Sequence, residues 1–189
     1  RQRQMCIRDR SSTPQDRREL MDLVERMQGA FTTIAKSKIP TIALAHGFCI
    51  GGATSLVSAC DIRLATKDAK FSIGETKLGL VADVGVIQRM PKIVSSGDMN
   101  ELALTGRIFD GEHAEKIRFV SKAYENSDEL FEAGENLANE ISSNSKRIVQ
   151  ATKEALEKSS NLTVDQGLEY AKLWSCLLYT SDAADDGSR

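Results

Sequence analysis

HGFCIGGATSLVSACDIRLATKDAKFSIGETKLGLVADVGVIQRMP, residues His46–Pro91, is the stretch whose reading decides the fold of this chain. It puts a glycine pair, Gly51-Gly52, where a strand should turn into a helix. Two acids follow, Glu75 and Asp83, eight residues apart in an otherwise apolar segment. Backbone N–H groups at a strand-to-helix turn can hold a developing oxyanion, since the helix presents the positive end of its dipole there. Two acids with little else polar around them can move a proton between two carbons. Together these features imply chemistry on an activated carbonyl. Each alone is weak: a glycine pair by itself reads more readily as a packing turn than as an anion site, and an isolated acid near a turn is usually just solvated.

Outward from this stretch, strands and helices alternate. Upstream, Ser12, Thr13, Pro14 and Asp16 make a helix start, and Leu20, Met21, Val24, Met27, Phe31 and Ile34 recur at helical spacing. Ile39-Pro40 ends that helix, and Thr41–Ala45 (TIALA) suits a buried strand. Downstream of the glycines, Ala53–Ala59 reads as a helix, and Asp61–Ala65 and Lys70–Ile73 as strands. Val84–Val94 reads as a helix interrupted by Pro91, Gly97–Leu104 as another helix, and Phe119–Tyr124 as a strand. Beyond Ser127 the pattern is helical throughout, over Glu129–Ile141, Arg147–Lys158 and Val164–Trp174. This order predicts one α/β domain with a helical C-terminal extension.

Bulk properties exclude several classes. The chain has 189 residues, 41% hydrophobic and 28% charged, with a net charge of −2. Nothing in that balance attracts nucleic acid or a membrane surface, and no apolar run approaches the roughly 20 residues of a membrane span. Cys6, Cys49, Cys60 and Cys176 show no metal-ligand spacing, so a reducing compartment with thiols is expected, and no metal. Both ends differ in character from what they flank. Residues 1–10 (RQRQMCIRDR) and 176–189 (CLLYTSDAADDGSR) resemble translated sequencing-adapter read-through, leaving 11–175 as the informative partial domain.

At CIGG (Cys49–Gly52), ACDIR (Ala59–Arg63) and GETKLGLVADVG (Gly74–Gly85), followed by Gln88, Arg89 and Pro91, the chain resembles the crotonase superfamily, also called the enoyl-CoA hydratase/isomerase family. Its dienoyl-CoA isomerase branch is the nearer likeness, since that branch pairs a glutamate with an aspartate eight residues later. The resemblance implies an α/β fold with a crotonase-like ββα-superhelix core, whose N-terminal part is missing here. It also implies an oxyanion-hole N–H at Gly52, an active-site glutamate at Glu75, an added acid at Asp83, and substrate-binding positions at Gly51, Ser55, Gly74 and Leu78. The second oxyanion N–H and most CoA contacts would come from the missing part.

Ser55 departs from the pattern: hydratases of the family place a second glutamate there, and dienoyl isomerases an aspartate. A serine is no general base unaided at neutral pH, which disfavours two-carboxylate water addition. Ala53 replaces a third glycine, and Arg118 stands where many relatives have glycine. His46 reads as structural, Cys49 and Cys60 as small core residues, and Tyr170 and Trp174 as core or interface spacing.

The implied activity is conversion of 3,5-dienoyl-CoA to 2,4-dienoyl-CoA by proton transfer. Coenzyme A would be part of the substrate, with no separate cofactor. A homotrimer or hexamer is implied for the full-length protein, and a cytoplasmic site if the source is bacterial. A 2-enoyl-CoA hydratase or other crotonase-type isomerase, and a non-catalytic acyl-CoA-binding relative, remain the alternatives.

Overall fold

The computed structural model describes residues 13–185. The N-terminal segment expected to be foreign, Cys6 within it, and the last four residues lie outside that range. Two units are distinguished: one holds residues up to Ser37 together with Thr41–Ala138, the other Lys38–Pro40 and the chain from Asn139 onward.

The first unit begins with helix α1 (Pro14–Ala35). Thr13 caps it in a reciprocal box: the Thr13 hydroxyl accepts from Asp16 N–H and the Asp16 carboxylate accepts from Thr13 N–H. Strands β1 (Ile42–Ala45) and β2 (Phe48–Ile50) follow. Helix α2 (Gly52–Ala59) leads to β3 (Ile62–Thr66) and β4 (Lys70–Ser72). A 3-10 turn at Gly74–Leu78, a short helix α3 (Val86–Arg89), a second 3-10 turn at Met90–Lys92 and helix α4 (Ser96–Thr105) come next. β5 (Phe109–Asp110), α5 (Gly111–Lys116), β6 (Lys122–Tyr124) and α6 (Ser127–Ser142) complete the order up to the C-terminal helices.

Two three-stranded sheets result, in the orders β1-β3-β6 and β2-β4-β5. Ile42 to Ala45 run parallel to Ile62 to Ala65, and Phe48 to Ile50 parallel to Lys70 to Ser72. The chain therefore changes sheets twice in the same sense, at His46-Gly47 and again at Lys67–Ala69. That repeat of strand, strand, helix is the expected ββα superhelix. Phe71, Phe109 and Phe119 pack ring on ring at 5.5–6.2 Å in the core, with Ile73, Met90 and Leu102 buried around them.

The sequence reading needs three corrections. The strand that meets the glycine pair is β2, not the TIALA strand, which ends five residues earlier and belongs to the other sheet. β5 and α5 were not anticipated, and the strand expected over Phe119–Tyr124 is confined to Lys122–Tyr124. Arg118 now has a conformational account. It adopts φ +66 just beyond α5, a left-handed position natural to glycine.

The Asp61 and Arg63 pair is structural. Asp61 accepts from the Thr41 N–H and hydroxyl, while Arg63 donates to the carbonyls of Phe119 and Cys60, pinning β3 to its neighbours.

In the second unit α7 (Lys146–Ser159) and α8 (Val164–Asp185) form a helical pair. Tyr170 donates its hydroxyl to Glu154 at 2.7 Å, which holds the phenol proton and pushes its pKa up. Helix α8 continues past Trp174 through Asp185.

Candidate active site

The glycine turn is built as its sequence predicts. Gly51 has φ +59 and ψ −114, the backbone of the first central residue of a type II′ turn, which side chains avoid. Its own N–H donates to Ser72 carbonyl at 2.9 Å, so the turn is anchored to the end of β4. Thr54, fully buried, reinforces the same joint: its hydroxyl lies 2.5 Å from Cys49 carbonyl and 3.4 Å from Ser72 N–H. Gly52 is the first helical residue, and a first-turn N–H has no acceptor within its helix. A donor so placed can serve an anionic oxygen. Nothing larger than glycine is needed at 52 for packing, since Met27 Cε would already touch a Cβ there at 3.6 Å.

Glu75 comes to this turn from the 3-10 segment after β4. Its Oε1 lies 3.3 Å from where a Gly51 Cβ would be. The segment is braced on both sides: Ser72 donates its hydroxyl to Gly106 carbonyl at 3.0 Å, and Thr76 to Ala103 carbonyl at 2.7 Å. Glu75 carbonyl also accepts from Leu80 N–H. The second carboxylate oxygen, Oε2, is buried and has no protein hydrogen-bond partner. Ser55 Oγ is in the same condition, in a residue with no exposure at all. Helical side chains lean over the turn N-terminal to them, so Ser55 leans toward Gly51 and Gly52. Each unmatched buried polar group costs about 1–3 kcal/mol. Two of them beside a helix N-terminus make a polar nook suited to a ligand atom or a water.

Asp83 is differently housed. Its side chain is exposed, as are Leu78, Leu80 and Val81 before it. The apolar enclosure expected for Asp83 is therefore not found within the described residues, because the loop that carries it turns outward between two buried anchors, Ala82 and Val84. A 480 Å³ cavity lined by Lys67, Lys122, Tyr124, Glu125, Glu129 and Asn136 lies elsewhere and contains neither acid. Among the described residues neither acid makes a salt bridge, and no group of three or more potential ligands is placed to hold a metal.

The remaining expected positions sort clearly. Gly74 opens the 3-10 turn against Ser72 Oγ, and Leu78, at 50% exposure, ends it on the rim. His46 is exposed and packs edge-on against Phe131 at 5.7 Å, a structural contact. Cys49 is buried, and burial pushes its thiol pKa up, away from nucleophilic use. Gln28 and Thr32 of α1 carried no signal in the sequence, yet both touch the Asp83 loop: Gln28 Nε2 donates to Asp83 carbonyl at 2.6 Å, and Thr32 Oγ1 accepts from Arg89 Nη2 at 3.2 Å.

Comparison with known proteins agrees with this architecture. The enoyl-CoA hydratase/isomerase family matches residues 12–183. Among curated relatives, the mitochondrial Delta(3,5)-Delta(2,4)-dienoyl-CoA isomerase of Dictyostelium discoideum is 43% identical, over 94% of this chain and 60% of that protein. The peroxisomal isomerase of the same name from Arabidopsis thaliana is 40% identical, over 93% and 65%. The mitochondrial mouse protein is 42% identical, over 86% and 50%. The chain thus spans half to two thirds of the length of these relatives. Among solved structures, enoyl-CoA hydratase from Bacillus anthracis superimposes with a TM-score of 0.81 at 25% identity, over 94% of this chain and 68% of that one. A Thermobifida fusca structure solved in complex with CoA gives 0.83 at 25% identity, over 92% and 66%. The chain belongs to the enoyl-CoA hydratase/isomerase family.

Proposed function

We propose that this family member, in its full-length form, is an acyl-CoA isomerase that converts a 3,5-dienoyl-CoA to a 2,4-dienoyl-CoA. The observation that carries the proposal is the pair of acids on one loop. Glu75 is held against the Gly51-Gly52 turn and Asp83 lies eight residues on, in a chain 40–43% identical to three proteins named for this reaction.

The chemistry follows from the substrate. A thioester carbonyl acidifies the carbon beside it. Glu75 removes a proton from C2, and the electron pair spreads through the conjugated system toward C6 while negative charge develops on the thioester oxygen. Gly52 N–H donates to that oxygen, and losing one such donor costs about 2.7–4 kcal/mol of transition-state stabilisation. Asp83 is the group that delivers a proton to C6. The double bonds move to C2 and C4, Glu75 returns its proton to solvent, and Asp83 regains one. No electrons are gained or lost overall, so the reaction calls for no redox cofactor. Gly51, Gly74 and Leu78 line the approach, with Ser55 enclosed beside the glycine turn.

Binding of acyl-CoA is supported by the CoA-bound Thermobifida fusca structure. The apolar positions Leu168 and Leu173 of α8 are exposed, which fits assembly into trimers or hexamers. Sedimentation of the full-length protein as a monomer at micromolar concentration would contradict that assembly. No helix among the described residues is long and apolar enough to cross a membrane. The cytoplasm follows for a bacterial source, whereas the eukaryotic relatives are named mitochondrial and peroxisomal.

The second reading, hydration of a 2-enoyl-CoA, is disfavoured by Ser55, which leaves one carboxylate at the turn instead of two. The test is spectroscopic. Purified full-length protein is mixed with 3,5-dienoyl-CoA and, separately, with 2-enoyl-CoA, and ultraviolet absorbance is followed as conjugation with the thioester appears or is lost. Rapid consumption of the 2-enoyl thioester with no action on the diene would reverse the order of the two readings.

A further inference from the structure

The Asp83 loop is not supported by its own neighbours alone. Gln28 Nε2 donates to the Asp83 carbonyl itself, at 2.6 Å and across 55 residues of chain. Arg89 folds back beneath the same loop, where Nη1 donates to Val84 carbonyl at 3.4 Å and Nη2 to Thr32 Oγ1 at 3.2 Å. The fold-back depends on Gly85. That residue has φ +112, and a Cβ on it would overlap Arg89 Nη1. Gln28 and Thr32 are four apart, on one face of α1. Met27, next to Gln28, places its Cε 3.6 Å from the Gly52 Cβ position. One stretch of α1 therefore touches both the glycine turn and the backbone that carries the exposed acid.

From this geometry we infer that Gln28 and Arg89 are positioning residues that set where Asp83 stands relative to the Gly51-Gly52 turn. Neither touches a reacting atom. Gln28 holds the peptide carbonyl of Asp83, Arg89 holds the next one, and α1 supplies a common frame for both. The requirement arises because an exposed side chain on an outward loop has no packing to fix it. Proton delivery at C6 needs the donor aligned to within a fraction of an ångström, and a misplacement of about 1 Å can cost a hundredfold in rate. Removal of the C2 proton by Glu75 has no such dependence, because Glu75 is braced through Ser72 and Thr76. The inference rests on the isomerase reading, and it separates the two proton transfers.

The experiment compares two rates in the full-length protein: 3,5- to 2,4-dienoyl-CoA conversion by absorbance, and deuterium uptake at C2 of the unreacted diene in D2O by mass spectrometry. The variants are Gln28→Met, of similar length without a donor, Gln28→Ala, and Arg89→Gln. Conversion should fall about ten- to a hundredfold. KM and C2 exchange should stay near wild type, so the ratio of exchange to conversion rises by the same factor. Gln28 is exposed, so its variants should keep the melting temperature of the wild type and remain informative even if Arg89→Gln does not fold. An unchanged ratio in the Gln28 variants, with both rates either lowered together or unaltered, overturns the positioning role alone. A wild type that neither exchanges at C2 nor converts the diene overturns the isomerase reading and this inference with it.

Discussion

Glu75 and Asp83 are eight residues apart, but the chain secures them by different means. Glu75 sits on a turn whose flanks are stapled by Ser72 and Thr76 to the end of α4, with carboxylate oxygen Oε1 against Gly51 and Oε2 buried. Asp83 is exposed, and what is fixed is its backbone, through Gln28 and the Arg89 fold-back. Both segments are tied down by hydrogen bonds to main-chain carbonyls, but only the first acid has its side chain set against another element, the glycine turn. Packing determines a side chain's rotamer, whereas a bond to the peptide leaves the side chain its own torsions. Under the proposed isomerase chemistry Glu75 takes the proton beside the thioester and Asp83 gives one four bonds further along, so the second transfer depends on how the Asp83 backbone is held.

The strongest way to break this contrast is Glu75→Gln. The amide keeps the shape without the base, so diene conversion and C2 deuterium exchange should both fall by about 10²–10⁴-fold. Retained exchange would show that another group takes the C2 proton. Asp83→Asn should lower conversion over the same range while leaving exchange and acyl-CoA affinity close to wild type, an effect on one readout instead of two. If exchange is lost as well, the two acids act as one unit and the contrast disappears.

Gly51→Ala probes the packed side. The alanine must adopt φ +59 with its Cβ 3.3 Å from Glu75 Oε1, so a stability loss of about 1–3 kcal/mol is expected in urea titration, together with reduced conversion. A fully stable Gly51→Ala would mean that the turn relaxes freely. The smallest effect belongs to Arg118→Gly, far from both acids in sequence. Removing a side chain from φ +66 should raise stability by about 1 kcal/mol, with no change in either rate.

Much of this arrangement could be read from the residues, and the limits have physical causes. Helices α1, α2, α4, α6, α7 and α8 announced themselves through apolar periodicity, and β1, β3 and β4 through short apolar or alternating runs. β2 and β5, of three and two residues, are too short to carry a period. They exist because β4 offers each an edge. Their assignment needed the sheet, which no local window contains. The same holds at the site. Gly52, Glu75 and Asp83 stood out through their match to a family pattern, each being weak alone, and the structure brings Glu75 to the Gly51-Gly52 turn. Gln28 and Thr32 did not stand out, since each acts across more than fifty residues through an ordinary polar group. The segment around Asp83 reads as apolar, but an apolar residue need not be buried, and Leu78, Leu80 and Val81 are exposed beside it.

Helix α2 has a further consequence for how such a protein can be altered. Five of its eight residues are buried, so it serves as core as well as the carrier of the glycine turn. A larger side chain at Ser55 enters a closed space, and overpacking of that kind costs about 1–3 kcal/mol. Leu78, Leu80 and Val81, by contrast, are exposed and can accept new side chains without disturbing anything beneath. A directed-evolution library confined to those three positions should therefore yield mostly folded proteins. A library at α2 should yield mostly failures, with rare survivors that carry compensating changes elsewhere in the core.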